Sequence, residues 1–431
     1  MPVFYVSFLA TLILTPMMRM LAHRHGVVDD PDNRRKIHSQ PIAYLGGVSI
    51  FLGWLAGISI SVFLSPHNAQ DIALSAVQIP AGVLLGAAVV VLFGLLDDVY
   101  SISPKFKLFG QFLAAVLLIL PGAFKLGGSD FFLGLQGHNG LAWMILDPLQ
   151  RFQILGSQWD KSPYFLPLVV VFSAVASIFI IIACCNATNL LDGLDGLCSG
   201  VTGIMSLGYL ILAVYLATQN LSPVPELDGT RITLSLALLG AVLGFLPYNF
   251  NPASIFMGDT GSMFLGYICG IMVLLFAQIN AFRWFLSAII IFGLPMMDTF
   301  LAIVRRKLNH KPIFSPDSNH FHHFLVRRGY TVRQAVLLSY GVVVVFVSFA
   351  LIIVIVPTRL AIGIYLVLFG WIIVAAFKVG MIFQHTPRPA NTQLNMAAFQ
   401  PNTQPTSEVS SQPLILNGTP TPSPAEPLHT P

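Results

Sequence analysis

Charged side chains are scarce in this chain: Asp, Glu, Lys and Arg make up only 9% of its 431 residues. Soluble domains carry about 25% charged residues, whereas 55% of the residues here are hydrophobic. The composition excludes an ordinary soluble domain and predicts a polytopic membrane protein. The formal charge of +4 is small and gives no indication of a nucleic-acid partner.

Cysteine is also rare, and its four residues lie in or beside apolar runs: Cys184, Cys185, Cys198 and Cys269. Their spacing is not that of a metal site, and it does not indicate a disulfide framework. We therefore expect small, buried hydrophobic side chains at these positions. The first apolar stretch lacks the basic segment that opens a cleavable signal peptide, so we interpret it as a membrane-spanning helix.

Long apolar runs are the main feature of the sequence. A helix that spans a bilayer needs about 20 apolar residues, and about eleven segments reach or approach that length. Backbone exposed to lipid must satisfy its own hydrogen bonds, so the predicted fold is all-α, with about eleven transmembrane helices. The segments lie near residues 2–22, 42–64, 78–96, 108–126, 163–185, 197–218, 232–248, 260–278, 284–304, 334–356 and 359–384.

Two regions of the chain differ in composition. Residues 1–384 hold all the apolar segments and form the predicted integral membrane domain. Residues 385–431 are rich in Pro, Thr and Ser and cannot bury enough apolar surface to become ordered. They are predicted to form a disordered cytoplasmic tail.

The basic residues are divided unevenly between two sets of loops. Cytoplasmic loops of membrane proteins carry an excess of Lys and Arg. The richer set is therefore predicted to be cytoplasmic, which places the N-terminus outside and the C-terminus inside. That set comprises Arg24, Arg34, Arg35, Lys36, Lys105, Lys107, Arg305, Arg306, Lys307, Lys311, Arg327, Arg328 and Arg333, against Lys125, Arg151, Lys161, Arg231, Arg283 and Arg359.

Four polar clusters follow apolar segments that end on the predicted cytoplasmic face. A charge at the centre of a bilayer costs about 2.5–3.5 kcal/mol or more, so acids this close to it must face water, a cation or a polar ligand. Because all four clusters fall on one face, we expect them to form one site. They are Asp97 and Asp98; Asn189, Asp192 and Asp195; Asn249, Asn251 and Asp259; and His320, His322 and His323.

The donor types in these clusters suit a hard cation. Carboxylates beside amide oxygens, without cysteine, favour Mg²⁺, with Mn²⁺ as the alternative. Histidines are zinc ligands in principle, but beside these acids they favour phosphate contacts. A carboxylate–metal site with basic residues around it points to phosphoryl transfer at a membrane surface.

The alternative from another class is a membrane transporter of an anionic or phosphorylated solute. Transporters place their polar residues near the midplane of the bilayer, often in paired repeats. The clusters here lie at one face and no repeat is evident, which favours an enzyme.

Two further basic positions are candidates. Lys36 lies in a polar loop ahead of Gly46 and Gly47, and its alternative role is to anchor the loop at the lipid headgroups. Lys107 and Gln111 lie one helical turn apart on one face. The alternative for Lys107 is a side chain that only snorkels to the interface.

The motifs together resemble glycosyltransferase family 4, the polyprenyl-phosphate N-acetylhexosamine-1-phosphate transferases. The resemblance runs from about residue 26 to 335. The motifs that carry it are Gly-Leu-Leu-Asp97-Asp98, Asn186-Ala-Thr-Asn-Leu-Leu-Asp192-Gly-Leu-Asp195-Gly-Leu, Phe256-Met-Gly-Asp259-Thr-Gly-Ser and Pro316-Asp-Ser-Asn-His320-Phe-His322-His323.

The resemblance implies a role for each matching residue. The implied metal ligands are Asp259 and Asp192. The implied catalytic residues are Asp97 and Asp98 near the lipid phosphate, Lys107, Asp192, and the phosphate-facing His322. The implied substrate-binding residues are Gln111 beside Lys107, Asn189 and Asp195 in the nucleotide pocket, Asn249 and Phe256 near the uridine, His320 and His323 at the phosphates, and Lys36.

The resemblance also implies the reaction. A sugar 1-phosphate, expected to be N-acetylglucosamine 1-phosphate, passes from a UDP-sugar to undecaprenyl phosphate, and UMP is released. Such a reaction initiates the synthesis of a cell-envelope polysaccharide at the bacterial plasma membrane. The alternative within the family is the phospho-N-acetylmuramoyl-pentapeptide branch, which usually has three consecutive histidines; Phe321 interrupts that pattern here. The expected partners are the UDP-N-acetylhexosamine, the polyprenyl phosphate, membrane lipid and a second copy in a homodimer.

Overall fold

A computed structural model describes residues 1–29, 41–64, 79–119, 165–222, 225–277, 282–310, 312 and 320–378. The described residues form thirteen helices and one two-stranded sheet. The helices are α1 (Pro2–His25), α2 (Gly46–Leu64), α3 (Ala81–Tyr100), α4 (Pro104–Ile119), α5 (Phe165–Leu191), α6 (Leu197–Thr218), α7 (Glu226–Asn249), α8 (Gly258–Ala277), α9 (Phe282–Ile291), α10 (Gly293–Leu308), α11 (Phe321–Arg327), α12 (Val332–Ile355) and α13 (Thr358–Lys378). Lys36 and the predicted tail from residue 385 lie outside the described residues.

The all-α membrane fold predicted from composition is confirmed. Within the described ranges, eight helices are long and apolar enough to cross a membrane, and the number is nine if α9 and α10 form one bent span. The predicted count of about eleven is not confirmed. For example, α4 is described only as far as Ile119, and its 16 residues are too few to count as a span. Every predicted apolar segment nevertheless coincides with a helix.

The ninth predicted segment is two helices and not one. α9 and α10 meet at Phe292 and are bent by 78°. The break has a covalent cause: Pro295 has no N–H with which to continue the hydrogen-bond ladder to Ile291. The bend directs α10 toward the site described below.

Helix α8 is the centre of the bundle. All of its residues except Asp259 are buried, and α2, α3, α5, α7 and α9 pack around it. Outside this core, α1 packs on α2 and α7, while α12 packs on α6 and α9. The N-terminal end of α8 is therefore the point to which the surrounding helices bring their polar ends.

A short strand pair connects the N-terminal helices to this point. Strand β1 (Val28–Asp29) pairs antiparallel with β2 (Ile42–Ala43). Beyond the strand, the N–H of Gly46 donates to the carbonyl of Phe256 at 3.0 Å, and that of Gly47 donates to the carbonyl of Met257 at 3.0 Å. A Cβ on Gly47 would lie 2.2 Å from the backbone nitrogen of Gly261. A glycine is needed because α2 and α8 touch through their backbones here.

Candidate active site

The polar clusters meet at the N-terminal end of α8. Asp97 and Asp98 lie in the last turn of α3, Lys107 lies in the first turns of α4, and Asn189 lies at the end of α5. Asp259 is the second residue of α8. Convergence of these side chains on one site was expected because each follows, or opens, an apolar segment at the same membrane face.

Three aspartates form a compact group within the described part of the chain. Asp97, Asp98 and Asp259 each offer a carboxylate oxygen, and these oxygens lie within 4.8 Å of one another. Lys107 lies among them, with its Nζ 2.7 Å from Oδ2 of Asp97 and in contact with Oδ2 of Asp259. Asn189 donates to the other oxygen of Asp259 at 3.0 Å. The group holds three carboxyl groups around one ammonium.

Asp98 differs from its neighbours because both of its oxygens are engaged by α8. Oδ1 accepts the N–H of Asp259 at 2.8 Å, and Oδ2 accepts the N–H of Thr260 at 3.1 Å and its hydroxyl at 2.6 Å. A carboxylate at a helix N-terminus satisfies N–H groups that have no partner within the helix. Asp98 therefore fixes the helix end that carries Asp259.

A cavity of about 180 Å³ opens beside the aspartates. Predicted site residues from three segments line it together with Tyr44, on which sequence reasoning placed no role. The lining residues are Tyr44, Asp192, Gly193, Leu194, Asp195, Asn249, Phe256 and Gly258. The Tyr44 and Phe256 rings are 5.9 Å apart, centroid to centroid, and inclined at 58°. Burial, and then the charges of Asp29, Asp98 and Asp192, raise the pKa of Tyr44 above its ordinary value, so its hydroxyl keeps its proton.

Asp192 lies in this cavity and not within the three-aspartate group. Burial is the main cause that raises its pKa to about 8, and the nearby charges of Asp259, Asp98 and Asp195 add to the effect. A cation bound nearby would favour the ionised form of the same carboxyl group. Without such a cation, the Asp192 carboxyl is mostly protonated at pH 7.

Two predicted substrate-binding residues connect the loops around the cavity. Oδ1 of Asn249 accepts the N–H of Gly196 at 3.2 Å and the Ser199 hydroxyl at 2.7 Å, while its Nδ2 donates to the carbonyl of Ile255 at 3.1 Å. Asp195 accepts from the side chain of Asn251 at 2.9 Å and from a backbone N–H at 3.0 Å. Their hydrogen bonds hold the cavity walls together.

Gln111 is buried between helices. It is 2% exposed, accepts from Nδ2 of Asn186 at 2.6 Å, and its own Nε2 lies 3.2 Å from Sδ of Met263. Lys107, one turn earlier on the same face of α4, contacts Asp97 and Asp259. The contacts of Gln111 connect α4 with α5 and α8.

The histidines lie on the far side of Gly193. His322 is 1% exposed, and neither of its ring nitrogens has a hydrogen-bond partner among the described residues. A Cβ on Gly193 would lie 2.2 Å from Nε2 of His322, so glycine is required for this approach. Burial, reinforced by His323 and His320 and opposed by Asp298, lowers the pKa of His322 to about 3. The ring is neutral at physiological pH.

A buried acid that sequence reasoning missed accompanies these histidines. Asp298 of α10 is 2% exposed, and its Oδ2 lies 2.8 Å from Nδ1 of His320. An ionisable residue inside an apolar run is itself an indication of function. That indication is present in the sequence, within the apolar segment predicted near residues 284–304.

Comparison with known proteins gives consistent matches. The model of glycosyl transferase family 4 matches residues 80–277. A Bacillus subtilis (strain 168) protein named a probable undecaprenyl-phosphate N-acetylglucosaminyl 1-phosphate transferase is 35% identical over 350 residues, covering 80% of this chain and 82% of the relative.

Two further relatives carry related names. A decaprenyl-phosphate N-acetylglucosaminephosphotransferase of Mycobacterium tuberculosis (strain CDC 1551 / Oshkosh) is 32% identical over 77% of this chain and 76% of its own length. An undecaprenyl-phosphate alpha-N-acetylglucosaminyl 1-phosphate transferase of Yersinia pestis is 29% identical over 77% of this chain and 78% of its own.

Proposed function

The chain belongs to glycosyl transferase family 4, as its motifs predicted, and from this premise we propose the reaction that it performs. It transfers N-acetylglucosamine 1-phosphate from a UDP-linked donor to a polyprenyl phosphate and releases UMP. The three relatives named above are named for N-acetylglucosamine transfer to undecaprenyl or decaprenyl phosphate. Phe321 between His320 and His322 also favours this branch over the muramoyl-pentapeptide branch.

The observation that carries the proposal is the group of Asp97, Asp98, Asp259 and Lys107 beside the cavity. Two anions must meet in this reaction, the pyrophosphate of the donor and the phosphate of the lipid. A site for them needs positive charge, and three carboxylates next to Lys107 supply a place for a cation to bind. The adjoining cavity has the aromatic and polar lining that a nucleotide-linked sugar requires.

The donor set fits Mg²⁺. Hard divalent cations take oxygen ligands, and Mg²⁺ is often held by only one or two protein carboxylates plus substrate phosphates. Asp259 and Asp97 suit this role, because their carboxylates already bind one cation, the ammonium of Lys107. Asp98 has both oxygens engaged by α8 and suits the role of anchor. When bound, Mg²⁺ would neutralise phosphate charge.

The residues of the chain itself then act as follows. Lys107 adds positive charge at the phosphates, and Asn189 keeps the Asp259 carboxylate in one orientation. His322 is buried, and the one N–H of its neutral ring has no partner among the described residues; we assign this N–H to a phosphate oxygen of the substrates. The second pKa of a phosphomonoester is about 6, so the lipid phosphate is mostly a dianion at pH 7 and needs little help from a base.

The reaction forms one bond and breaks another. An oxygen of the lipid phosphate attacks the phosphorus that carries the sugar. The bond from that phosphorus to the bridging oxygen breaks, and UMP leaves with the electron pair. A two-step route through a phospho-aspartate would need an additional intermediate, and the direct route is the simpler proposal.

The test is UMP release by the purified full-length chain. UDP-N-acetylglucosamine and undecaprenyl phosphate are supplied, with Mg²⁺ or with EDTA, and the lipid product is identified by mass. We expect UMP formation that requires both the lipid phosphate and Mg²⁺. A panel of other UDP-sugars sets the donor preference. No turnover of any UDP-sugar by folded protein in the presence of Mg²⁺ would contradict the proposal, and uptake of a solute into proteoliposomes would favour the transporter.

We also propose that the site faces the cytoplasm at the bacterial plasma membrane, with the N-terminus outside. The uneven distribution of Lys and Arg supports this orientation. The four native cysteines are buried and are removed to give a Cys-free background. A cysteine introduced at Ile145 should react from outside, and one at Ser318 only after permeabilisation; the reverse pattern would invert the topology. The homodimer stays a prediction.

A further inference from the structure

Asp298 makes two contacts with the histidine segment from a different helix. Its Oδ2 lies 2.8 Å from Nδ1 of His320, and its Oδ1 accepts the backbone N–H of Phe321 at 2.8 Å. Asp298 and His320 are both buried, at 2% and 4% exposure. A buried carboxylate is costly unless it is paired and hydrogen-bonded, so these contacts are strongly favoured over open alternatives.

The contact defines which nitrogen of His320 carries a proton. An ionised carboxylate only accepts hydrogen bonds, so Nδ1 must be the protonated nitrogen that faces it. The Nε2 atom of His320 is then left with its lone pair when the ring is neutral. A carboxylate that holds one ring nitrogen commonly fixes both the tautomer and the orientation of a functional histidine.

The orientation of His320 extends to its neighbours. The rings of His320 and His322 are stacked, with centroids 5.8 Å apart and planes 7° from parallel. His323 follows at 4.3 Å from His322. His322 is the histidine whose two nitrogens have no partner among the described residues. One carboxylate on α10 therefore supports the arrangement of three rings, that of His320 at the N-cap of α11 and those of His322 and His323 in its first turn.

We propose that Asp298 is a positioning residue of the transferase, acting through His320 on the histidines that face the phosphates. The proposal rests on the proposed function. It also assigns a purpose to the break at Phe292, because the bend of 78° is what directs Asp298 of α10 to α11. Asp298 itself does not touch the reacting atoms.

The substitution Asp298→Asn tests this role with little change in shape. The amide oxygen can still accept the N–H of Phe321, but the amide nitrogen would face Nδ1 of His320 and donate to it. That contact requires the opposite tautomer of His320. We expect kcat for UMP release to fall about 10–100-fold, as for other residues that orient a functional histidine, with a smaller change in KM for the donor. Thr299→Val, one residue along the same helix, is the matched control and should retain activity.

A double-mutant cycle separates positioning from general damage to the fold. If Asp298 acts through His320, then Asp298→Asn should cost less than about threefold once His320→Gln is already present, because residues that act as a unit are not additive. Losses that multiply would overturn the inference, and so would near-normal kcat in Asp298→Asn.

A second measurement needs no substitution at position 298. In wild-type protein labelled with ¹⁵N-histidine, the His320 resonance is identified by its loss in His320→Gln, and it should show a proton on Nδ1. A bare Nδ1 would overturn the inference even if Asp298→Asn failed to fold. If the wild-type chain releases no UMP while this resonance is as expected, the proposed function is contradicted. The contact between Asp298 and His320 is then still supported.

Discussion

Replacing Asp259 by Asn is the most direct perturbation of the proposed metal site. The change keeps the size of the side chain and removes its negative charge. Asn189 can still donate to the amide oxygen, as it now donates to Oδ1 at 3.0 Å. Lys107 keeps its contact with Asp97 at 2.7 Å. The hydrogen bonds of the site are therefore largely preserved while its charge falls.

The magnitude follows from the charge that is lost. Two unit charges about 4 Å apart interact by about 4 kcal/mol at an effective dielectric constant of about 20, and a divalent ion interacts more strongly. Each step of about 1.36 kcal/mol corresponds to about a tenfold change in rate. We therefore expect kcat of Asp259→Asn to fall by about a thousandfold or more. Asp259 is partly exposed at the end of α8, with 23% of its side chain accessible, so the fold should be retained.

The assay is UMP release as a function of Mg²⁺ concentration, with the melting temperature measured alongside. Glu226→Gln is a matched control, because it removes one negative charge at the first residue of α7, at the opposite end of that helix from Asn249. Its activity should stay within a few-fold of wild type. Near-normal kcat for Asp259→Asn at low Mg²⁺ would refute Asp259 as a metal ligand and leave Asp97 and Asp192 as the candidates.

Three further outcomes are expected. The folded-state pKa of His322 is about 3, below its unfolded value of about 6.5, so the unfolded chain gains a proton first as pH falls. As the pH falls from 7 to 5, wild type should therefore lose up to about 2 kcal/mol of stability that His322→Gln keeps. Gly47→Ala should destabilise the bundle by about 1–3 kcal/mol or more, since its Cβ would meet backbone of Gly261 at 2.2 Å. Deleting residues 390–431 should leave activity within a few-fold, because the tail lies beyond the last apolar segment.

Each of these outcomes has its own check. Thermal melts across pH test His322, and parallel curves for wild type and variant would contradict the buried, neutral ring. For Gly47→Ala the control is Gly341→Ala, because a Cβ at Gly341 meets no atom within 4 Å; equal melting temperatures would contradict the close contact of α2 and α8. Loss of activity in a well-folded truncation would contradict a dispensable tail.

Much of the fold was predictable because lipid leaves the backbone few choices. Hydrophobic segments must be helical in a bilayer, and every predicted segment contains a helix. The break at Phe292 was not predicted, because apolar composition alone does not register one missing N–H at Pro295. Helix α11 was also missed, since seven residues give too short a pattern to recognise.

The sequence predicts which residues belong to the site better than it predicts the role of each one. Acidic residues at the ends of apolar segments are costly in a membrane and therefore indicate a functional site. Asp97, Asp98 and Asp259 could thus be expected to lie in one site. Sequence cannot show which lone pairs are already in use, and it therefore gave no hint that Asp98 holds the end of α8. The contact between Asp298 and His320 joins positions 22 residues apart, from α10 to the residue that precedes α11, so no local pattern predicts it.

The complete enclosure of α8 has a consequence for how the protein is made. The helices around it include α2 and α3, which are synthesised before it, and α9, which is synthesised after it. The core can therefore close only when α9, about two-thirds of the way along the chain, has entered the membrane. Until then one side of α8 faces lipid or other chains, and a protein that is cut short before α9 would keep its aspartates but leave the helix that carries Asp259 unsupported on one side.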